Sequence, residues 1–148
     1  MRAPEFWQHD GRLAKALQPL AWLYGLLGHL RWAMSTPWAA PVPVICIGNL
    51  VAGGAGKTPT ALAIGQALAR RGIAAHFLSR GHGGRLAGPL RVDGRLHGAD
   101  DVGDEPLLLA AAGPAWIARD RVKGARAAVA AGAQAIIMDD GFQNPGLA

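Results

Sequence analysis

Cysteine, charge and aromatic residues are all scarce in this sequence. A single cysteine, Cys46, occurs among 148 residues, so the chain cannot form an internal disulfide framework. One cysteine fits a reducing compartment, and its place in an apolar run predicts a small buried side chain. Charged residues make up 17% and hydrophobic residues 51%, a balance that excludes a disordered tail and favours one globular domain.

The net charge is +5, from 15 Lys and Arg against 10 Asp and Glu. Such a balance suits an anionic partner, for example an anionic lipid or a phosphorylated substrate. The basic residues are scattered, and Arg70 and Arg71 are the only adjacent pair. Because no basic stripe is interleaved with aromatic residues, no nucleic-acid partner is expected.

Between Lys15 and Arg31 the sequence has no Asp, Glu, Lys or Arg. Pro19 fits the first turn of a helix there. One face of that helix is continuously apolar, with residues at helical spacing: Leu20, Leu23, Leu27, Leu30 and Met34. Four of the 5 tryptophans fall in the first forty residues: Trp7, Trp22, Trp32 and Trp38.

Several interpretations of this apolar segment compete. A transmembrane span needs about 20 apolar residues, whereas this run is shorter and contains Gln18 and His29. A signal peptide is unusual after Glu5 and Asp10. An ordinary helix packed on the domain remains open. We favour a helix at the membrane interface, with Tyr24 and the tryptophans at the headgroup level. Residues 1–40 are therefore predicted to be an amphipathic membrane-associated helix and linker, and residues 41–148 the core.

The core alternates apolar runs with helical patterns. "VPVICIGNL" is typical of a strand buried on both faces, and "IAAHFLS", "AWIA" and "AQAIIMDD" are further strands. Helices are predicted over residues 59–71 and 121–131, each followed by glycine. Short runs on both sides of Asp93-Gly94 suggest a small hairpin. The alternation predicts an α/β fold with a mainly parallel sheet flanked by helices.

A glycine-rich stretch, "NLVAGGAGKTPTAL", lies between the first strand and the first core helix. It matches the phosphate-loop pattern G-x-x-x-x-G-K-[ST] except at the first position, where Val51 replaces glycine. Backbone N–H groups of such a loop surround phosphate, and the following helix N-terminus favours the anion. The predicted ATP-binding residues are Gly53, Gly54, Ala55, Gly56, Lys57 and Thr58.

Acidic residues supply the rest of the predicted site. Asp139 and Asp140 end the last apolar strand and, with the Thr58 hydroxyl, are predicted to bind Mg²⁺, although two solvated carboxylates at a strand end remain an alternative. In "DDVGDEP", Asp104 is either the N-cap of the next helix or a general base. Glu105 beside it is a further candidate for the metal.

Five motifs together resemble the tetraacyldisaccharide 4'-kinases, the lipid A 4'-kinases of Gram-negative bacteria: "GNLVAGGAGKTP", "SRGHGG", "VGDEPLLLA", "ARDRVKGARAA" and "DDGFQN". The resemblance covers the chain from about Arg12 onward. It implies transfer of the γ-phosphate of ATP to the 4'-hydroxyl of a lipid-linked disaccharide 1-phosphate, with ATP and Mg²⁺ as cofactors. It also implies a peripheral enzyme at the cytoplasmic face of the bacterial inner membrane, with that lipid surface as partner.

The resemblance also assigns roles. Lys57 and Thr58 match the loop lysine and threonine of the family, and the family's loop also commonly lacks the outermost glycine. Asp104 matches its proposed base, which makes Lys57 and Asp104 the predicted catalytic residues. His82 stands where the family often has tyrosine, and Asn144 where it often has histidine.

Two alternatives remain at the level of the sequence. A membrane-surface ATPase of the partitioning and septum-positioning kind also combines such a loop with a membrane helix, but carries a lysine where Ala52 stands. Because family members are about twice as long, we expect this chain to be an N-terminal part that lacks a second lobe. An inactive nucleotide-binding fragment is therefore also possible, and we expect the 148 residues alone not to complete the reaction.

Overall fold

A computed structural model of the chain describes residues 12–33, 37–48, 56–139 and 146–147. Helices and strands follow one another in this order: α1 (Arg12–Ala33), β1 (Val44–Ile47), α2 (Lys57–Ala69), β2 (Ala75–Ser79), β3 (Leu90–Arg91), α3 (Ala99–Val102), α4 (Asp104–Ala112), β4 (Ala115–Ile117), α5 (Arg121–Ala130) and β5 (Ala135–Asp139).

The strands form one sheet in the order β1-β5-β2-β4-β3. β1, β5, β2 and β4 are mutually parallel, and only β3 runs antiparallel, beside β4. The predicted α/β class with a mainly parallel sheet is therefore confirmed.

Helices cover both faces of the sheet. On one face α2, α3 and α4 pack on a core cluster that includes Phe77, Leu109 and Ile137. On the other face α5 packs on a cluster that includes Leu78, Ile136 and Met138. Alternate residues of β2 and β5 thus point to opposite clusters, as strands buried on both sides require.

β5 lies inside the sheet, between β1 and β2, and all five of its residues are buried. Although it is the last strand in the sequence, it does not lie at an edge of the sheet. The crossover from β1 through α2 to β2 skips one position in the sheet, and β5 fills it. Sequence order therefore does not give spatial order here.

β1 is an edge strand rather than a strand buried on both faces. Ile47 is its only buried residue, and Cys46 is exposed. The prediction of a buried cysteine is wrong because β1 has a neighbour on one side only within the described part of the chain.

The predicted hairpin around Asp93-Gly94 is also wrong. β3 pairs with β4, and the chain then makes a turn instead of a second strand. Asp93 organises that turn, since its Oδ1 accepts from the Arg95 N–H at 2.8 Å and its N–H donates to His97 Nδ1 at 3.0 Å. This local pairing replaces the ladder that a hairpin would need.

α1 begins at Arg12, so Pro19 lies inside the helix and not in its first turn as predicted. The residues before Pro19 include Ala, Leu, Lys and Gln, which favour helix strongly enough to extend it. Side chains from Lys15 to Leu27 are all exposed. Within the described residues, no helix is long and apolar enough to cross a membrane.

Candidate functional site

The carboxyl ends of the parallel strands bring the start of α2 and the last strand together. Ile47 at the end of β1 pairs in register with Asp139 at the end of β5. The segment that leads to α2 therefore leaves the sheet directly beside Asp139. Ligands of open α/β sheets bind at this carboxyl edge.

Thr58 and Asp139 are in contact. The Thr58 hydroxyl donates to Asp139 Oδ2 at 3.2 Å across 81 residues of sequence. Asp139 is 1% exposed, so the alternative of a solvated carboxylate at a strand end is wrong for this residue. A buried carboxylate needs compensating polar or cationic neighbours, and the start of α2 provides one of them.

Gly56 fixes the entry into α2. Its φ of +71° is left-handed, and it occupies the N-cap position before Lys57. The Thr60 N–H and hydroxyl both bond to the Gly56 carbonyl, at 3.1 and 2.8 Å. Pro59 lies in the first turn, where its lack of an N–H removes no helical hydrogen bond. The positive end of the helix dipole thus faces the carboxyl edge of the sheet.

The other predicted loop residues are only partly described. Lys57 is the first residue of α2 and is half-buried. Gly53, Gly54, Ala55 and Asp140 lie outside the described residues, and their predicted roles stay predictions.

Asp104 and Glu105 are exposed residues in the first turn of α4. Only Gly113 and Pro114 separate α4 from β4, so the C-terminus of α4 lies at the amino edge of the sheet. Its N-terminus accordingly lies at the carboxyl edge. Since α4 shares a face of the sheet with α2, the two acidic residues lie on the same side and edge as Lys57 and Thr58.

Asp104 is not the N-cap of α4. That position belongs to Gly103, whose φ of +89° and ψ of 161° leave Asp104 as the first helical residue. The chain turns from α3 into α4 at this glycine, and no side chain caps the N-terminus of α4. Asp104 and Glu105 instead complement the helix dipole from within the first turn.

Gly103 packs against the loop that follows β2. A Cβ on Gly103 would collide with the His82 carbonyl oxygen, and a Cβ on Gly84 would lie 2.6 Å from the Asp101 carbonyl oxygen. This loop belongs to "SRGHGG", whose glycines had no assigned role at the level of the sequence. The one feature of the sequence that could have indicated this role is the clustering of three glycines within six residues. Close backbone contacts require residues without side chains.

Arg85 ties the same loop to α3. Its Nε donates to Asp101 Oδ1 at 2.7 Å, and its backbone N–H donates to the Asp100 carbonyl at 3.0 Å. Asp101 Oδ2 accepts from the Gly98 N–H at 2.9 Å. That backbone hydrogen bond, together with the Arg85 guanidinium, lowers the pKa of Asp101. The contacts hold α3, and with it Gly103 and Asp104, against the carboxyl edge.

The donor set fits a magnesium ion. A threonine hydroxyl and a buried aspartate in contact are the hard oxygen ligands that Mg²⁺ takes in phosphate-loop proteins. Among the described residues no group of three His, Cys, Asp or Glu is placed to hold a metal alone.

Comparisons with known proteins agree with this architecture. The sequence profile of the family described as tetraacyldisaccharide-1-P 4'-kinase (LpxK) matches residues 13–148. The tetraacyldisaccharide 4'-kinase of Parvibaculum lavamentivorans is 58% identical over 100% of this chain and 45% of its own length. That of Rhodospirillum rubrum is 55% identical over 100% of this chain and 45% of its own length.

A solved structure gives the same result. The crystal structure of LpxK from Aquifex aeolicus in complex with ATP has a TM-score of 0.76 and 31% identity, and the match covers 92% of this chain and 46% of that one. The chain thus spans less than half the length of these relatives. The chain belongs to the tetraacyldisaccharide-1-P 4'-kinase family.

Proposed function

We propose that the protein carrying this chain is a kinase that transfers the γ-phosphate of ATP to the 4'-hydroxyl of a tetraacyldisaccharide 1-phosphate. This is a phosphorylation step of lipid A, and hence lipopolysaccharide, biosynthesis. The observation that carries the proposal is the contact of Thr58 with the buried Asp139 at the N-terminus of α2, found in a chain of this family. The relative that binds ATP supports ATP as the phosphate donor.

The phosphates of ATP lie at the start of α2 in this proposal. Backbone N–H groups of residues 53–58 and the Lys57 ammonium bind the β- and γ-phosphates, because a helix N-terminus favours anions. Mg²⁺, when bound, neutralises charge on these phosphates; Thr58 and Asp139 would hold it, and Asp140 and Glu105 are further oxygen donors.

Asp104 is the proposed general base. It accepts the proton of the acceptor hydroxyl while that oxygen bonds to the γ-phosphorus and the bond to the β–γ bridging oxygen breaks, which releases ADP. Its exposed position at the carboxyl edge leaves it open to an acceptor arriving from solvent or a membrane surface. Positioning of this kind supplies most of the catalysis in phosphoryl transfer.

The experiment uses the full-length protein carrying this sequence, with labelled ATP, Mg²⁺ and detergent-dispersed tetraacyldisaccharide 1-phosphate. Phosphorylated lipid is measured by chromatography and mass spectrometry. We expect Lys57→Ala and Asp104→Ala each to lower kcat/KM at least about 100-fold, or roughly 2.7 kcal/mol.

Asp100→Ala is the matched control, because Asp100 is an exposed acid on the neighbouring helix α3, and we expect it to keep near-normal turnover. The dissociation constant for ATP should rise in Lys57→Ala and stay unchanged in Asp104→Ala. Near-normal turnover in Asp104→Ala would remove its role as base. ATP hydrolysis without any phosphorylated lipid would favour a membrane-surface ATPase instead.

We further propose that α1 binds the cytoplasmic face of the inner membrane, where the lipid acceptor resides. Its support is the set of large exposed apolar side chains on α1: Leu17, Leu20, Trp22, Leu23, Tyr24, Leu26, Leu27 and Leu30. A soluble protein rarely exposes so many large apolar side chains on one helix. Trp22 and Tyr24, with Lys15 about two turns before them on the same helix, suit the headgroup region.

A further inference from the structure

Trp38 contacts three separate parts of the molecule, namely residues 146–147, α5 and the core cluster beneath α5. Its backbone N–H donates to the Gly146 carbonyl at 2.9 Å, and its backbone forms an isolated parallel bridge with Leu147. The Arg126 guanidinium carbon of α5 lies 5.1 Å from the centroid of its ring, which is the geometry of a cation–π contact. Trp38 and Leu147 also pack on the core cluster beneath α5.

Trp38 lies in the segment that links α1 to β1. Trp38 is the fifth residue after Ala33, where α1 ends, and it comes before β1. Pro37 and Ala39 on either side are exposed, whereas Trp38 is half-buried. A tryptophan held by a hydrogen bond, a cation and the core is more than a linker residue, because a free linker would leave this ring in water.

We infer that Trp38 is a positioning residue, which fixes the start of the linker to the core and thereby limits how far the core can lie from a membrane-bound α1. The inference rests on the proposed function, in which α1 and the lipid acceptor share one membrane surface. Trp38 acts through the location of the active edge relative to that surface and does not touch the reacting atoms.

The size of the effect follows from chain length. With Trp38 anchored, the chain takes five Cα–Cα steps from Ala33 at the end of α1 to Trp38, a reach of at most about 17 Å. Without it the next residue that packs on the same cluster is Val42, which makes the reach about 31 Å. The volume that the tethered core can reach around the end of α1 then grows up to about sixfold. The effective concentration of the membrane-embedded acceptor at the active site falls by the same factor.

Two insertions of the same flexible Gly-Ser octapeptide test this inference in the full-length protein. One is placed between Pro37 and Trp38, and the other between Ala39 and Ala40. Because the anchor lies between them, we expect the first to lower kcat/KM for acceptor embedded in anionic vesicles about 3- to 6-fold or more. The second leaves the distance from α1 to Trp38 unchanged, and we expect activity near that of the parent protein.

Trp38→Ala keeps the backbone hydrogen bond to Gly146 but removes the ring contacts with Arg126 and the core, so we expect a smaller difference between the two insertions in that background. Trp38→Phe should retain much of the difference. Vesicle flotation should stay unchanged in every variant, because α1 is intact. Activity on a short-chain acceptor analogue dissolved as monomers should also stay unchanged, which a general loss of folding would not allow.

Equal effects of the two insertions on the vesicle-embedded acceptor would overturn the role of Trp38, as would equal losses on the soluble analogue. Failure of the proposed function looks different. In that case the parent protein phosphorylates neither the vesicle-embedded acceptor nor the soluble analogue.

Discussion

Gly103 has a backbone conformation that residues with side chains rarely adopt. Its φ is +89°, and a Cβ there would meet the His82 carbonyl oxygen. We therefore expect Gly103→Ala to lower the free energy of unfolding by about 1–3 kcal/mol. Because Gly103 precedes Asp104, kcat for lipid phosphorylation should fall while the dissociation constant for ATP stays unchanged.

Gly94→Ala is the matched control for this change. No atom lies within 4 Å of a Cβ built on Gly94, so an added methyl group should leave unfolding and turnover nearly unchanged. Urea denaturation and steady-state kinetics measure both effects. If the two alanine variants are equally stable and equally active, the contact of Gly103 with the loop after β2 has no role in placing Asp104.

We expect His76 to make the free energy of unfolding depend on pH. It is 5% exposed on β2, and its Nδ1 accepts from the Trp116 indole N–H at 3.3 Å. Burial, and then the nearby Arg91 charge, lower the pKa of His76 below its ordinary value of 6.5. The fold therefore prefers neutral His76, and the unfolded chain binds more protons as the solution is acidified. Its contribution to stability is complete above pH 6.5 and is lost as pH falls below that value toward the folded pKa.

His76→Gln should reduce this dependence, since a glutamine oxygen can still accept from Trp116 but does not titrate in this range. We expect the melting temperature of the parent protein to fall more between about pH 7.5 and about pH 5.5 than that of His76→Gln. His29→Gln, at an exposed position on α1, should keep the parent slope. Identical slopes in parent and His76→Gln would show that His76 does not cause the dependence.

Among the elements, α1 is the one whose role depends on a partner surface. Leu20, Leu23 and Leu27 are 68%, 52% and 58% exposed. Replacing all three by glutamine should sharply lower the fraction of protein that floats with anionic vesicles, since each fully buried leucine contributes about 1.5–3 kcal/mol. ATP binding should not change, because the predicted phosphate loop, residues 53–58, is a separate part of the sequence from α1.

The control for α1 uses the same chemical change outside the helix. Leu96 and Leu108 are 76% and 58% exposed, so Leu96→Gln with Leu108→Gln should leave flotation at the parent level. A floated fraction that is the same in both sets of variants would contradict a membrane role for α1.

Most elements were predictable from local patterns. β2, β4 and β5 follow apolar runs, and α5 begins after Asp120, whose Oδ1 accepts from the Lys123 N–H at 3.1 Å. The start of α1 was not predictable, because Pro19 appears as a helix start and is in fact tolerated inside the helix. The prediction of a hairpin at Asp93 was wrong because turn residues do not specify which strand will pair with β3.

At the scale of the whole molecule, β5 lies between β1 and β2 with all five of its residues buried, so we expect its packing to contribute strongly to the free energy of unfolding. Ile137 is fully buried on the face shared with α2 and α4. We expect Ile137→Ala to lower the free energy of unfolding by about 2–5 kcal/mol. Leu96→Ala, at a residue that is 76% exposed, should change it by less than about 0.5 kcal/mol.

Urea unfolding monitored by circular dichroism measures these two values. A loss in Ile137→Ala no larger than that in Leu96→Ala would mean that β5 is not the strand around which the two helical layers pack.

The sequence alone determined the class of the fold, and it predicted the residues of a phosphate loop. Apolar runs of strand length, glycine at helix ends and the G-K-T spacing are local signals, and each depends only on neighbouring residues. Asp104 and Asp139 were likewise predicted to be site residues from their positions at a helix start and a strand end.

Only the tertiary structure decided which of these residues meet. Contact between Thr58 and Asp139 depends on β5 lying beside β1, and strand order is set by how distant segments pack and not by local pattern. The same holds for Cys46, exposed because β1 is at the edge, and for Gly103, which is required because the loop after β2 lies against it. Trp38 belongs to this group as well, since its partners Arg126 and Gly146 lie far along the chain and no periodicity connects them.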